Sequence, residues 1–240
     1  SPCLPLQAGE GFCYSTRRLY PMKLPISARL LACCDYIAPG DRVADIGCDH
    51  GYLGIYLLLN GISPHTVEAD IRPGPLSAAI KNGEKYGVQD NMTFCLSNGA
   101  QDIPRNFDTL VCAGMGADVM VSILSAAPWL QSDRYRLVLQ CQSKTPVLRK
   151  YLSDTGWRIR REQVLRDGRF LYTVMDCVWE PGQVLTPGQC YLSPALLASG
   201  CPLLPEYIAW VRDHLGLSVR SQGDRADPFE IDAWKELNPL

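Results

Sequence analysis

The sequence predicts an α/β fold: a doubly wound, mostly parallel sheet with helices on both faces and an antiparallel hairpin at its end. Three observations carry the prediction. Short β-rich runs alternate with helical runs; the first of them ends in a glycine-punctuated turn, Asp45-Ile46-Gly47-Cys48-Asp49-His50-Gly51; and the last two are separated only by Arg166-Asp167-Gly168-Arg169. Strands joined through helices lie parallel in a sheet covered on both sides. A turn as short as the last joins antiparallel neighbours.

In chain order, Ser27 is a helix N-cap, and Leu30, Leu31, Cys34 and Ile37 recur at helical spacing until Pro39-Gly40 stops the run. RVADIG is the first strand, GYLGIYLLLN the helix after it and HTVEAD the second strand, which together make a βαβ unit. The pattern continues as helix 75–86, strand 92–96, strand 108–113, helix 117–127, strand 135–140 and helix 145–155, then strands near 157–165 and 170–178. A parallel sheet closed by such a hairpin is the layout of class I methyltransferases, whereas nicotinamide-binding sheets usually stay parallel. After Glu180-Pro181-Gly182 the pattern changes. Prolines 187, 194, 202 and 205 interrupt the chain, and two short amphipathic helices are expected at 205–216 and 229–237. Residues 22–180 thus read as one α/β domain and residues 181–240 as a linker with a small helical appendage. Residues 1–21 lack periodic pattern and are expected to be a disordered extension ahead of Met22, the expected natural start.

Composition excludes several classes. The chain has 240 residues, 47% of them hydrophobic, enough for one substantial core. A net charge of −2 gives no global sign of nucleic-acid binding, so any RNA-binding surface must be local. The eleven cysteines include no C-x-x-C pair, and the three histidines are far apart, so neither a disulfide scaffold nor a metal site is expected. Free thiols fit a reducing cytoplasm. The richest apolar run, YLGIYLLL, is far shorter than a membrane span.

Chemistry concentrates at the carboxyl ends of the predicted strands, where open α/β sheets bind ligands. Gly47 and Gly51 let backbone approach a ligand, and Asp45 is suited to hold the ammonium of a methionine moiety rather than a pyrophosphate, which it would repel. Asp49 stands where a dinucleotide fingerprint would need its middle glycine. Asp70, ending the second strand, can accept from ribose hydroxyls or serve as a helix cap. Asn98-Gly99 after the third strand can meet the edge of an adenine or form a plain turn. The fourth strand ends in Ala113-Gly114-Met115-Gly116, where two glycines expose backbone to a flat acceptor base; the N/D-P-P-[YF] motif of many amino-methylating enzymes is absent. Gln140, ending the fifth strand, is read as either binding or structural. The candidate cofactor contacts are therefore Asp45, Gly47, Cys48, His50, Gly51, Asp70, Asn98, Gly99 and Ala113, and the candidate catalytic group is Asp49 with Gly114, Met115 and Gly116.

The order D-I-G-C-D-H-G-Y-L, A-D-I-R-P-G-P-L, A-G-M-G and L-Q-C-Q with L-R-K-Y-L, together with Ser27-Ala28-Arg29-Leu30, Gly156-Trp157 and Glu162, resembles the bacterial tRNA (adenine-N1)-methyltransferases acting at tRNA position 22. The resemblance spans roughly residues 22–180. It implies an S-adenosylmethionine-binding domain and a C-terminal helical hairpin that helps to hold tRNA, with Asp45, Gly47, Asp49, His50, Asp70, Asn98 and Gly114 to Gly116 around cofactor and target base. Two residues depart from the family's usual A-G-M-G-G and L-Q-P: Ala117 and Cys141. The segment after residue 181 is expected to be too short and proline-broken for a long hairpin.

Adenine N1 carries an available lone pair, so its methylation asks for positioning and desolvation more than for a strong base. Asp49 is expected either to orient the base through its exocyclic amino group or to tie down the glycine loop, and His50 to be structural or to face the cofactor. Residues 134–169 carry a net +7 against −9 for the rest of the chain. That polarity predicts a phosphate-contacting surface including Arg149, Arg158, Arg160 and Arg161, with tRNA as partner and a cytoplasmic monomer as the default state. Two alternatives stay open: a class I methyltransferase acting on a small molecule or protein, and a catalytically inactive S-adenosylmethionine-binding interaction module.

Overall fold

The computed structural model describes residues 24–238; the expectations for residues 1–21 and Met22 lie outside the described residues. Seven strands form one sheet: β1 (Val43–Ile46), β2 (Thr66–Asp70), β3 (Met92–Leu96), β4 (Thr109–Met115), β5 (Arg136–Cys141), β6 (Trp157–Asp167) and β7 (Phe170–Trp179). Their spatial order is β3-β2-β1-β4-β5-β7-β6. The first five run parallel, and β7 lies antiparallel between β5 and β6. The parallel strands are read correctly from the sequence because both of their faces are covered, so each appears as a short apolar run.

Helices α1 (Ala28–Cys34), α2 (Tyr52–Leu59), α3 (Pro73–Tyr86), α4 (Ala117–Ser125) and α5 (Thr145–Asp154) clothe the sheet. Ser27 caps α1 as expected, its Oγ accepting from Leu30 N at 3.3 Å. One face buries Ile46, Val67, Leu110, Leu137 and Leu139 beneath α4 and α5; the other buries Val43, Val111 and Val138 against Cys33 of α1 and Leu53 and Leu57 of α2. The β6–β7 turn is tighter than expected: Asp167 pairs with Phe170, leaving Gly168 and Arg169 as the turn, with Gly168 at φ +60°.

The C-terminal segment departs most from expectation. Among the described residues four helices follow β7: α6 (Pro187–Tyr191), α7 (Pro194–Leu197), α8 (Leu204–Gln222) and α9 (Pro228–Leu237). Prolines 187, 194 and 205 do not break the structure; each stands in the first positions of a helix, where a missing N–H costs nothing. α8 is also longer than expected, 19 residues or about 28 Å. It continues past Gly216, where a β-carbon would crowd Trp234 of α9, so this glycine serves helix packing rather than chain termination. Leu192, Leu196, Tyr207, Val211, Leu215, Ala233 and Leu237 form a small core of their own that closes on Val164 of β6.

A buried ion pair fastens this segment to the sheet. Arg149 of α5 and Glu162 of β6 are both 0% exposed and meet at 2.6 Å. Arg149 Nη1 also donates to the Cys190 and Tyr191 carbonyls, at 2.9 and 2.7 Å, and Ser193 Oγ donates to Glu162. With its charge matched and its donors occupied, Arg149 cannot face a phosphate, which corrects its assignment to an RNA-binding surface. The carbonyls that hold it come from a segment forty residues away in the chain, which no local reading supplies.

Removing one partner of such a pair strands the other as a buried charge, which costs about 3–5 kcal/mol. Arg149→Ala is therefore expected to lower the melting temperature by about 10 °C, while the double replacement Arg149→Met with Glu162→Leu recovers most of the loss. Thermal denaturation of the two variants checks this.

Candidate functional site

Strand order reverses between β1 and β4, and there the carboxyl edge of the sheet opens into a cleft of about 850 Å³. Asp45, Gly47, Cys48, Asp49, His50, Asp70, Asn98, Gly99, Ala113, Gly114 and Met115 all line it. Gly51 and Gly116 do not. Gly51, at φ +70°, opens α2, and a β-carbon there would stand 3.0 Å from Ala79 Cβ. Gly116 opens α4, with Ser143 Oγ 2.8 Å from where its β-carbon would be. Both glycines shape the walls from behind.

The floor is backbone and sulfur. Gly47 and Cys48 donate their N–H groups to the Ala69 carbonyl at 2.7 and 3.0 Å, fixing the turn after β1 to the end of β2. A β-carbon on Gly47 would collide with Met115 Cε, so Met115 reaches across the gap between the ends of β4 and β1. Gly114, at φ +77°, sits in a bulge of β4 and donates to Gln140 Oε1 at 3.0 Å. Gln140 is fully buried and is a brace for this bulge. The Cys48 side chain is buried with Leu76 and Ala79, and burial pushes its thiol far above the ordinary value, so it offers no thiolate.

Charge at the cleft is unbalanced. Asp45, 4% exposed, has no cationic or hydrogen-bonding partner among the described residues, and burial, with Asp70 and Asp49 nearby, pushes its carboxyl up to about 7. Glu68, its register partner on β2, lies deeper; both its oxygens are buried without a hydrogen bond, and burial and Asp45 raise it well above the ordinary range. Glu68, itself an acid, supplies Asp45 no counter-charge. Asp70 accepts from Arg72 N at 2.8 Å through Oδ1, which leaves Oδ2 for a ligand. Asp49 stands in left-handed backbone, φ +49°, with its exposed carboxylate 3.6 Å from His50 Nε2. A compact ligand carrying positive charge and ribose hydroxyls matches the carboxylates of Asp45 and Asp70 on this edge.

Sequence reasoning gave no role to the roof. Pro25, Ser27, Arg29 and Leu30 line the cleft from the α1 side, and Arg29 is anchored to Asp167 at the hairpin tip at 2.7 Å. The Ser27-Ala28-Arg29-Leu30 string marks the place, but only the fold brings it over the strand ends. From α4, Val119, exposed, and Ile123 add apolar surface opposite Asn98 and Gly99. Among the described residues no group of His, Cys, Asp or Glu side chains can hold a metal ion, and no helix is long and apolar enough to cross a membrane.

The basic segment is less free than its charge suggests. Arg136 meets Asp41 and Asp176, Lys144 meets Asp118, Lys150 meets Asp154, Arg158 meets Glu180, Arg161 meets Asp176 and Arg166 meets Glu206. Most of these acids lie outside residues 134–169, which is why a count within that window overstates the field. Arg161 also lies over the Tyr36 ring, 4.7 Å from its centre. Arg160, exposed on the edge strand, has no carboxylate partner among the described residues and shares a shallow hollow with Arg158.

A switch-point cleft with an uncompensated buried carboxylate, on a parallel sheet closed by an antiparallel hairpin, defines a methyltransferase fold and site. Residues 26–175 match the family described as Methyltransferase domain, and the chain belongs to that family. Within it the chain is similar to the tRNA (adenine(22)-N(1))-methyltransferase of Bacillus subtilis (strain 168), 29% identical over 154 residues that cover 64% of this chain and 65% of the relative. It is likewise similar to a putative tRNA methyltransferase of Mycoplasma pneumoniae, 35% identical over 162 residues, covering 64% and 71%. The chain spans just under two thirds of the Bacillus relative's length. Its fold is that of a putative tRNA (m1A22) methyltransferase from Streptococcus pneumoniae solved in complex with S-adenosyl-L-methionine, at a TM-score of 0.78, 23% identity and coverage of 89% of this chain and 98% of that one.

Burial pushes the Asp45 carboxyl up to about 7 and a cation docked on it favours the ionised form, so binding near or below that pH releases a proton. Affinity for an ammonium-bearing ligand therefore falls as pH drops below about 7, by up to about tenfold per unit. Stability of the free protein runs the opposite way: the folded chain holds a proton that the unfolded chain loses above 3.8, so stability declines as pH rises from 3.8 towards 7 and then levels. Calorimetric titration with S-adenosylmethionine across the neutral range checks the first statement, and Asp45→Asn is expected to weaken binding and flatten its pH dependence.

Proposed function

We propose that the protein is an S-adenosylmethionine-dependent methyltransferase that methylates N1 of an adenine in tRNA, at position 22. The observation that carries this reading is Asp45: a buried carboxylate without a counter-charge, at the open strand edge, beside backbone that only glycine permits. The residues fit the cofactor in kind. Asp45 holds the methionine ammonium, Asp70 accepts from the ribose hydroxyls, and Asn98 with Gly99 borders the adenine ring. His50 and Ala113 complete that wall, with Gly51 behind it.

When bound, S-adenosylmethionine supplies a methyl group on a sulfonium. The adenine lies against Gly114 and Met115, with Gly116 behind them, where the bare Gly114 backbone lets a flat ring approach and Met115 offers an apolar contact, and Asp49 accepts from its exocyclic amino group. The N1 lone pair is the nucleophile; the bound cofactor would supply the methyl carbon, and its sulfur would keep the pair of the broken carbon–sulfur bond. The positive charge therefore moves onto the methylated ring, where the Asp49 carboxylate offsets it. No base has to remove a proton before attack. Arg160, with Arg158 beside it, supplies phosphate contacts, and the enzyme acts as a cytoplasmic monomer.

The test is transfer of labelled methyl to an unmodified tRNA transcript followed by nucleoside analysis. Label in 1-methyladenosine is expected, and none when position 22 is changed to guanine. Cofactor binding without any transfer to tRNA would reject the reading in favour of a different acceptor or a non-catalytic module.

A further inference from the structure

A second cleft, of about 240 Å³, lies beside the first along the same sheet edge. One wall is the loop from β5 to α5, Gln142 to Thr145, with Tyr172 and Thr173 of β7; the other is α8. Along α8, Tyr207, Trp210 and His214 present a row of rings, spaced three and four residues apart so that they share one face. Trp210 lies 5.8 Å from Tyr207 at 26° and 4.4 Å from His214, centre to centre. Tyr207 is buried, whereas Trp210 remains 46% exposed, an unusual cost for so large an apolar surface.

The two clefts adjoin at Gln142. Gln142 lines both, and its Nε2 stands 3.4 Å from where a β-carbon on Gly114 would be. Gln142 N donates to the Met115 carbonyl at 2.8 Å, and Lys144 on the second cleft pairs with Asp118 on the first at 2.7 Å. A chain that leaves its base at Gly114 and Met115 thus meets the ringed cleft next. His214 Nδ1 donates to the Trp210 carbonyl at 2.8 Å, since a carbonyl can only accept, and this leaves Nε2 as an acceptor.

We infer that this cleft holds a nucleobase flanking the methylated adenine, stacked on Trp210 with His214 Nε2 accepting from its edge. The inference rests on the proposed function. Its size supports a single base: 240 Å³ is below the roughly 300–1,000 Å³ of pockets that enclose larger ligands. The wall chemistry does too, because a flat π face beside the hydrogen-bonding edges of Gln142 and His214 suits an unpaired base. The buried Arg149–Glu162 pair, by fixing the segment before α8 to the sheet, keeps the ring row at a set distance from the site of transfer.

Steady-state methylation of a tRNA transcript tests this. Trp210→Ala and Trp210→Leu, the second of which keeps apolar volume but no π face, are each expected to raise KM for tRNA about tenfold, with kcat changed by less than about threefold and S-adenosylmethionine affinity unchanged. Trp210→Phe recovers most of the loss, and His214→Ala raises KM by a smaller factor. An unmoved tRNA KM in both Trp210→Ala and Trp210→Leu overturns the inference and leaves the cleft to a small molecule. So does equal loss in the Phe and Leu variants, which marks a packing role. If the wild-type protein transfers no methyl group to tRNA, the proposed function fails and this inference with it; if it does and the Trp210 variants match it, the base site alone fails.

Discussion

One topological constraint organises the functional edge: the sheet is laid outward from β1 in one direction through β3, then resumed on the other side of β1 with β4 and β5. Loops leaving β1 and β4 must diverge, so a gap opens at their carboxyl ends without any side chain having to be removed. Asp45 stands at the lip of that gap. Sheet and helices exclude water from it, and Glu68, the neighbour that its register imposes, is itself an acid. The free protein therefore carries an unmet electrostatic demand at the one place where the fold leaves room for a ligand. Bulge, glycines and the Gly114–Gln140 hydrogen bond then set the shape of what can meet it.

At the other end of the sheet a different device does the positioning. The β6–β7 hairpin gives the C-terminal helices a surface to close on, and the Arg149–Glu162 pair, with Ser193 and two backbone carbonyls, fixes where they sit. A buried pair of this kind contributes little net stability over an apolar replacement, since desolvation offsets most of the Coulombic gain. What it gives is register: α5, β6 and the segment before α8 have one arrangement that satisfies every donor. The aromatic face of α8 consequently lies beside the β5–α5 loop at the carboxyl edge of the sheet rather than on a free-standing arm.

Most of the sheet and most of the residues that line the β1–β4 cleft were legible in the sequence because their signals are local. An apolar run closing on glycine is a buried parallel strand, and an aspartate there has few other uses. What was not legible depends on partners distant in the chain. Arg149 looked like a surface cation because its acceptors come from β6 and from residues 190 and 191. The +7 window looked like a phosphate surface because Asp41, Asp118, Asp176, Glu180 and Glu206, which meet its cations, fall outside it. The length of α8 was missed because Gly216 reads as a helix end until Trp234 is seen against it. The α1 roof and the ring row of Tyr207, Trp210 and His214 become sites only when the fold carries them to the strand ends.

A structure of the protein bound to S-adenosylhomocysteine and a tRNA fragment containing adenine 22 tests the central claim most directly. The methionine ammonium is expected against Asp45, the ribose on Asp70, and adenine N1 facing the cofactor sulfur over Gly114 to Gly116 with its amino group towards Asp49. A cofactor whose ammonium lies away from Asp45, or a target adenine that docks outside the β1–β4 cleft, would contradict it.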